Sequence, residues 1–173
     1  MQFFSGFSLK NEAYLFEEYI DKSDFTVCGF SYGAIKALKY TLEKIANGER
    51  VERLQLLSPA FFQAKDKKFK RLQMLSYKKN EAAYLQQFLQ ACFTPYKSKS
   101  VENRPTSSEE LHELLEYEWF LSDLVALQNS GVVIEVYLGG EDKIVDAKVA
   151  QEFFIEVATV TYIKKANHFL QIK

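Results

Sequence analysis

Gly29-Phe30-Ser31-Tyr32-Gly33 sets a serine between two glycines, and Asp142 and His168 stand far downstream of it. A serine hydroxyl is a weak nucleophile. It needs a base to take its proton and a carboxylate to hold that base in the right tautomer, and the three together suit acyl transfer. The chain has only 2 histidines, so the choice of base is narrow. His112 sits in an acidic helical stretch beside Glu113 and reads as a solvated helix residue. His168 follows the last strand-like run, where a general base fits. For the carboxylate Asp142 is preferred, with Glu141 next and Asp146 read as a helix cap; all three follow Gly139-Gly140.

The pentapeptide alone recurs by chance, so its flanks decide its weight. Phe25-Thr26-Val27-Cys28 is a β-favouring run stopped by Gly29, and Ile35, Leu38, Leu42 and Ile45 then share one helical face up to Asn47-Gly48. A serine on so sharp a strand-to-helix turn needs glycine neighbours, because a Cβ there would meet backbone. The N–H of Tyr32, at the helix N-terminus, then faces the place where an oxyanion forms. Met1 to Phe4 reads as a strand broken at Ser5-Gly6, followed by an amphipathic helix on Ala13, Phe16, Tyr19 and Ile20. Val51 to Leu57 is a strand ending at Ser58-Pro59. Residues 61–93 read as helical, 96–105 as a loop. Ser107 and Glu110 have capping-box spacing for a helix with Leu111, Leu114, Leu115 and Leu121 inside and Glu109, Glu113, Glu116 and Glu118 outside. Val132 to Leu138 is a strand, Ala147 to Val157 a helix capped by Asp146, and Val160 to Ile163 the last strand. Alternating strands and helices predict an α/β fold with a parallel sheet, whose strand ends would bring Ser31, Asp142 and His168 to one side.

Composition narrows the rest. At 173 residues the chain makes one domain. With 22 Lys+Arg against 23 Asp+Glu it lacks the basic excess of a nucleic-acid binder, so no nucleic-acid partner is expected. No apolar run approaches the roughly 20 residues of a membrane span. Met1 to Lys10 lacks a basic segment followed by an apolar one, which predicts no secretory leader. Cys28 and Cys92 lie apart in apolar settings and read as reduced thiols, consistent with a cytoplasmic location. The 2 Cys and 2 His are too dispersed for a zinc site, and neither a metal nor a cofactor is expected.

The order Ser31, Asp142, His168, each at a strand end, resembles the α/β-hydrolase superfamily. Ser5-Gly6-Phe7 is similar to that family's His-Gly-x stretch, with Ser5 in place of the histidine, and the resemblance implies that the Phe7 N–H joins that of Tyr32 in an oxyanion hole. Gly139 to Asp142 resembles the family's acid loop and Asn167-His168 its histidine loop. Two strands that usually precede Met1 to Phe4, and one after it, have no counterpart, which implies a minimal hydrolase of about five strands in a mainly parallel sheet flanked by helices. Residues 1–60 and 131–173 would form its core, and 61–130 a helical lid insertion between strands three and four of a single domain.

A narrower likeness covers nearly the whole chain. Phe3-Phe4-Ser5-Gly6-Phe7, Gly29 to Ala37, Leu57-Ser58-Pro59-Ala60, Phe69-Lys70-Arg71-Leu72-Gln73 and Asn167-His168-Phe169-Leu170-Gln171 resemble the short bacterial pimeloyl-acyl-carrier-protein methyl ester esterases of biotin synthesis. That resemblance implies an acyl carrier protein as partner. Lys65, Lys67, Lys68, Lys70, Arg71, Lys78 and Lys79 are the candidate docking surface for it, since carrier proteins are acidic. Phe30, Phe61, Phe62 and Phe169 are the candidates for an acyl pocket, with Phe61 and Phe62 preferred. Two other readings stay open: a general short-chain carboxylesterase of the same fold, and a degenerate hydrolase serving as a binding module.

Overall fold

The computed structural model describes Met1–Lys173. Five parallel strands make the central sheet: β1 (Gln2–Phe4), β3 (Thr26–Phe30), β4 (Arg53–Leu57), β6 (Val133–Gly139) and β7 (Thr159–Ile163), side by side in that order. Strands that run parallel need crossovers, and helices supply most of them. α1 (Tyr32–Ala46) joins β3 to β4, and α6 (Ala147–Phe154) joins β6 to β7. Four helices, α2 (Lys67–Lys79), α3 (Glu81–Phe93), α4 (Ser108–Glu116) and α5 (Leu121–Asn129), lie between β4 and β6. No helix is long and apolar enough to cross a membrane.

Alternation along the strands divides the core in two. Val27, Leu54, Leu56, Val136 and Leu138 join one cluster with Ile35 and Leu38 of α1, Leu124 and Leu127 of α5, and Ala150 and Phe154 of α6. Cys28, Phe30 and Leu57 turn to a smaller aromatic cluster with Phe16, Phe93 and Phe169. This second cluster includes Phe169 and Leu170 of the histidine loop itself.

Several elements differ from their sequence reading. The first helix is a short 3-10 helix, Glu12–Phe16, entered through Asn11 at φ 63. Tyr19 and Ile20 lie beyond it because the Gln55 side chain of β4 donates to the Tyr19 carbonyl at 2.9 Å and accepts the Asp21 N–H at 2.9 Å, turning the chain back to the sheet. The 61–93 stretch is two helices, divided at Asn80, which ends α2 and caps α3 by accepting the Ala83 N–H. The helix expected to reach Leu121 stops at Glu116. Trp119 intervenes there, its backbone N–H donating to Gln63 and its indole N–H to the Ala60 carbonyl at 2.8 Å. β2 (Leu9–Lys10) and β5 (Glu102–Asn103) pair antiparallel inside stretches read as loop or left unassigned; two residues are too few to show a period.

Candidate active site

β3, buried along its whole length, delivers Ser31. Ser31 stands at φ 53, ψ −117, a conformation that costs an L-residue about 1–3 kcal/mol. The flanking glycines permit it: a Cβ on Gly29 would lie 2.3 Å from the Gly33 carbonyl oxygen, and one on Gly33 2.0 Å from that of Phe4. The turn is also held from outside. The Ser31 N–H donates to the Leu57 carbonyl at 2.9 Å, and the Ser31 carbonyl accepts from Ala34 and Ala60 at 3.0 and 3.1 Å.

β6 and β7 end in two loops that lock together. A Cβ on Gly139 would sit 2.3 Å from the Asn167 carbonyl oxygen, so only glycine lets the loops approach. Asp142 Oδ1 accepts the N–H groups of Ile144 and Val145 at 2.7 and 3.0 Å, which turns Oδ2 to within 2.6 Å of His168 Nδ1. His168 Nε2 lies 3.0 Å from Ser31 Oγ. With the ring proton on Nδ1 donated to Asp142, Nε2 is free to accept the Ser31 proton. The His168 and Asp142 side chains are 0% and 1% exposed, so water does not dilute these interactions. Asn167 clasps the histidine loop, donating Nδ2 to the Phe93 carbonyl and Gln171 Oε1 and accepting the Gln171 N–H. The other candidates lie elsewhere. Glu141 is exposed beside Lys143, Asp146 caps α6, and His112 is exposed on α4.

The loop after β1 packs against the same turn. Gly6 is pressed to the Phe30 ring, where a Cβ would lie 2.9 Å from it. The Phe7 ring meets Tyr32 edge-on, with centroids 6.4 Å apart. The Phe7 N–H makes no hydrogen bond within the protein. Tyr32 is the first residue of α1, so its N–H is among those a helix leaves without an internal partner. The Tyr32 phenol donates to Glu113 Oε2 of α4 at 2.5 Å, and Lys39 Nζ lies 2.5 Å from Glu113 Oε1. Burial, then this hydrogen bond, push the phenol pKa up. Burial also acts to raise the Glu113 carboxyl, but Lys39 and Tyr32 outweigh it and hold the group below its ordinary value.

A cavity of about 250 Å³ lies between α2, α3 and α4. Its wall includes Phe7 and Ile144, whose N–H donates to Asp142; Ser31, Asp142 and His168 themselves do not line it. Phe62, Phe69, Tyr84, Phe88, Leu111, Leu114 and Leu115 make it predominantly apolar. Of the four phenylalanines expected in a pocket, Phe62 alone lines it. Phe61 turns the other way, between Phe153 and Phe154 of α6, because adjacent residues on an irregular loop diverge. Phe30 and Phe169 are core, stacked 5.0 Å apart, with Phe30 supporting the His168 ring. Among the basic residues, Lys67, Lys68, Arg71, Lys78 and Lys79 are exposed. Lys70 is instead bound to Glu116 at 3.1 Å, and Lys65 lies over the Phe69 ring. Cys28 and Cys92 are unpaired and buried, and desolvation pushes both thiols well above their ordinary range, so neither is a competing nucleophile. No group of three or more His, Cys, Asp or Glu side chains is placed to hold a metal ion.

One buried group near the site escaped the sequence. Glu12 is wholly buried and its Oε1 accepts the Gly6 N–H at 2.7 Å. It follows Lys10-Asn11, and no local pattern in the sequence marks it as buried.

No protein-family model matches this chain, and no curated protein sequence matches it significantly. Solved structures do. BioG from Haemophilus influenzae superposes with a TM-score of 0.58 at 14% identity, over 98% of this chain and 88% of its own. An esterase from Exiguobacterium antarcticum gives 0.61 at 18% identity, over 83% of this chain and 59% of its own. Naproxen esterase from Bacillus subtilis gives 0.55 at 20% identity, over 96% and 62%. The chain thus spans about three-fifths of those two larger enzymes and most of BioG. With its parallel five-stranded sheet, it has a minimal α/β-hydrolase fold.

Proposed function

We propose that this protein is a serine esterase that hydrolyses the methyl ester of pimeloyl-[acyl-carrier protein]. The observation that carries the esterase reading is the hydrogen-bonded chain from Ser31 Oγ through His168 to Asp142, at 3.0 and 2.6 Å. His168 takes the Ser31 proton as the oxygen attacks the ester carbonyl, and Asp142 stabilises the imidazolium. The N–H groups of Phe7 and Tyr32 receive the oxyanion. Collapse expels methoxide, which leaves as methanol with the proton from His168. Water, deprotonated by the same imidazole, then cleaves the acyl-enzyme to the free acid and restores Ser31.

Three features support the finer reading. The sequence resemblance spans nearly the whole chain. The cavity beside Phe7 is apolar and suits a chain of methylenes. The exposed cations of α2 offer an acidic carrier a docking surface on the lid. A carrier held there would fix the thioester outside and leave the distal ester to reach Ser31, so that selectivity comes from reach. Two structural neighbours, the Exiguobacterium esterase and naproxen esterase, favour a second reading: a general short-chain carboxylesterase.

The test is turnover of pimeloyl-carrier-protein methyl ester beside p-nitrophenyl butyrate, with wild type and Ser31→Ala. The expected result is a strong preference for the carrier-borne ester and, in Ser31→Ala, loss of at least about 10³-fold in kcat on both. Equal efficiency on the two substrates moves the assignment to the general esterase. Turnover that survives Ser31→Ala removes the mechanism, and a folded wild type that cleaves neither leaves a binding module.

A further inference from the structure

We infer that Glu12 is a positioning residue that aims the oxyanion loop at Ser31, an inference that rests on the esterase reading above. The loop Ser5-Gly6-Phe7-Ser8 is short, and Ser8 holds a left-handed φ of 63. Its geometry must therefore be imposed by its surroundings. One side is set by contact: Gly6 lies on Phe30, the residue before Ser31, and Gly33 lies under the carbonyls of Phe4 and Ser5. The other side is set by Glu12. Its Oε1 accepts the Gly6 N–H at 2.7 Å, one residue before the Phe7 N–H that faces no protein acceptor. Fixing the direction of the Ser5–Gly6 peptide in this way constrains where the next N–H points, because only two soft dihedrals separate them.

The cost of this arrangement argues for a purpose. Glu12 is 0% exposed, and its second oxygen, Oε2, is buried without a protein hydrogen-bond partner. A carboxylate taken out of water to hold one N–H is a poor way to fix a loop for stability alone. A fixed acceptor that orders one N–H and polarises the peptide next to an oxyanion donor is a use that repays the cost only during turnover.

The experiment compares wild type with Glu12→Ala, Glu12→Asp and Glu12→Gln on p-nitrophenyl butyrate, alongside Ser31→Ala, and measures the Ki of phenylboronic acid, whose serine adduct places an oxygen where the oxyanion forms. The brace predicts that Glu12→Ala lowers kcat about 10–100-fold with KM within about twofold, and weakens phenylboronic acid by a similar factor. Glu12→Asp, one bond too short to reach Gly6, should show the same split even if the alanine variant fails to fold. Glu12→Gln keeps the acceptor and should recover most of kcat. Glu12→Ala or Glu12→Asp at wild-type kcat and Ki, with Ser31→Ala inactive, overturns the brace alone. A wild type that hydrolyses no ester removes the esterase reading and the brace with it.

Discussion

Two glutamates act near Ser31 with opposite electrostatics. Burial raises the Glu12 carboxyl above its ordinary 4.5, more than the Gly6 hydrogen bond and the Arg104 charge can offset. A raised carboxyl binds its proton better folded than unfolded, so it costs stability as pH climbs from 4.5 through the folded value, and the cost is complete above that. Glu12→Gln removes the charge. Its melting temperature relative to wild type should therefore be higher at pH 7 than at pH 4, as circular dichroism melts would show. A gap that does not change with pH would mean that the Glu12 carboxyl is not shifted by burial in solution. Glu113 runs the other way. Lys39 and Tyr32 hold it below 4.5 despite partial burial, so its contribution is present above 4.5 and is lost as pH falls through the lowered value. The side chain is 43% exposed, which solvent screening discounts to about 0.5 kcal/mol for Glu113→Gln. The deficit of that variant should shrink between pH 7 and pH 3 in denaturant titrations.

At the scale of elements, the histidine loop depends on one residue beside the base. Asn167 is wholly buried and ties the loop to Phe93 at the end of α3 and to Gln171. Asn167→Ala would leave Gln171 Oε1 and the Gln171 N–H without partners and take from the Phe93 carbonyl one of its two donors, the Tyr96 N–H remaining, a loss of about 1–3 kcal/mol in urea unfolding; a change below about 0.5 kcal/mol would show that the loop is held by packing of Phe169 instead. This clasp also shows what the sequence made legible. The Ser31 turn could be read because its whole logic is local: a β-favouring run, two glycines and a helical face in succession. The sheet and the loops bearing Asp142 and His168 followed from the same local patterns. The sequence already favours Asp142 over Glu141, but the N–H groups of Ile144 and Val145 that turn its carboxylate toward His168 were not legible there. Glu12, and the divergence of Phe61 from Phe62, were illegible for the same reason. Burial at those positions comes from segments that meet only after folding, and irregular loops carry no period. The break at Asn80 and the paired β2 and β5 were missed because each rests on one or two residues.

Across the whole molecule, a formal net charge of −1 says little about association, because the charges are sorted. The acidic face of α4 is largely spent inside: Glu110 binds Arg104 and lies 3.7 Å from Lys36, Glu113 binds Lys39, and Glu116 binds Lys70. The pairs consume Lys70 from the basic set and leave Lys67, Lys68, Arg71, Lys78 and Lys79 facing solvent, with Leu72 and Leu75 about half exposed among them. A cationic rim around two leucines, on the helix that walls the cavity, would suit the acidic carrier proposed above, steering it by charge and then burying a small apolar contact. Charge steering acts over a Debye length and fades as salt rises, whereas an ester entering the cavity alone feels little of it. Reversing Lys67, Lys68 and Arg71 to Glu should therefore raise KM for the carrier-borne ester at least about tenfold relative to p-nitrophenyl butyrate. In wild type the ratio of the two KM values should climb several-fold between about 50 and 500 mM NaCl, roughly the range over which the Debye length falls from 14 to 4 Å. A ratio indifferent both to salt and to charge reversal would detach the carrier from α2 and leave the apolar cavity as the only source of selectivity.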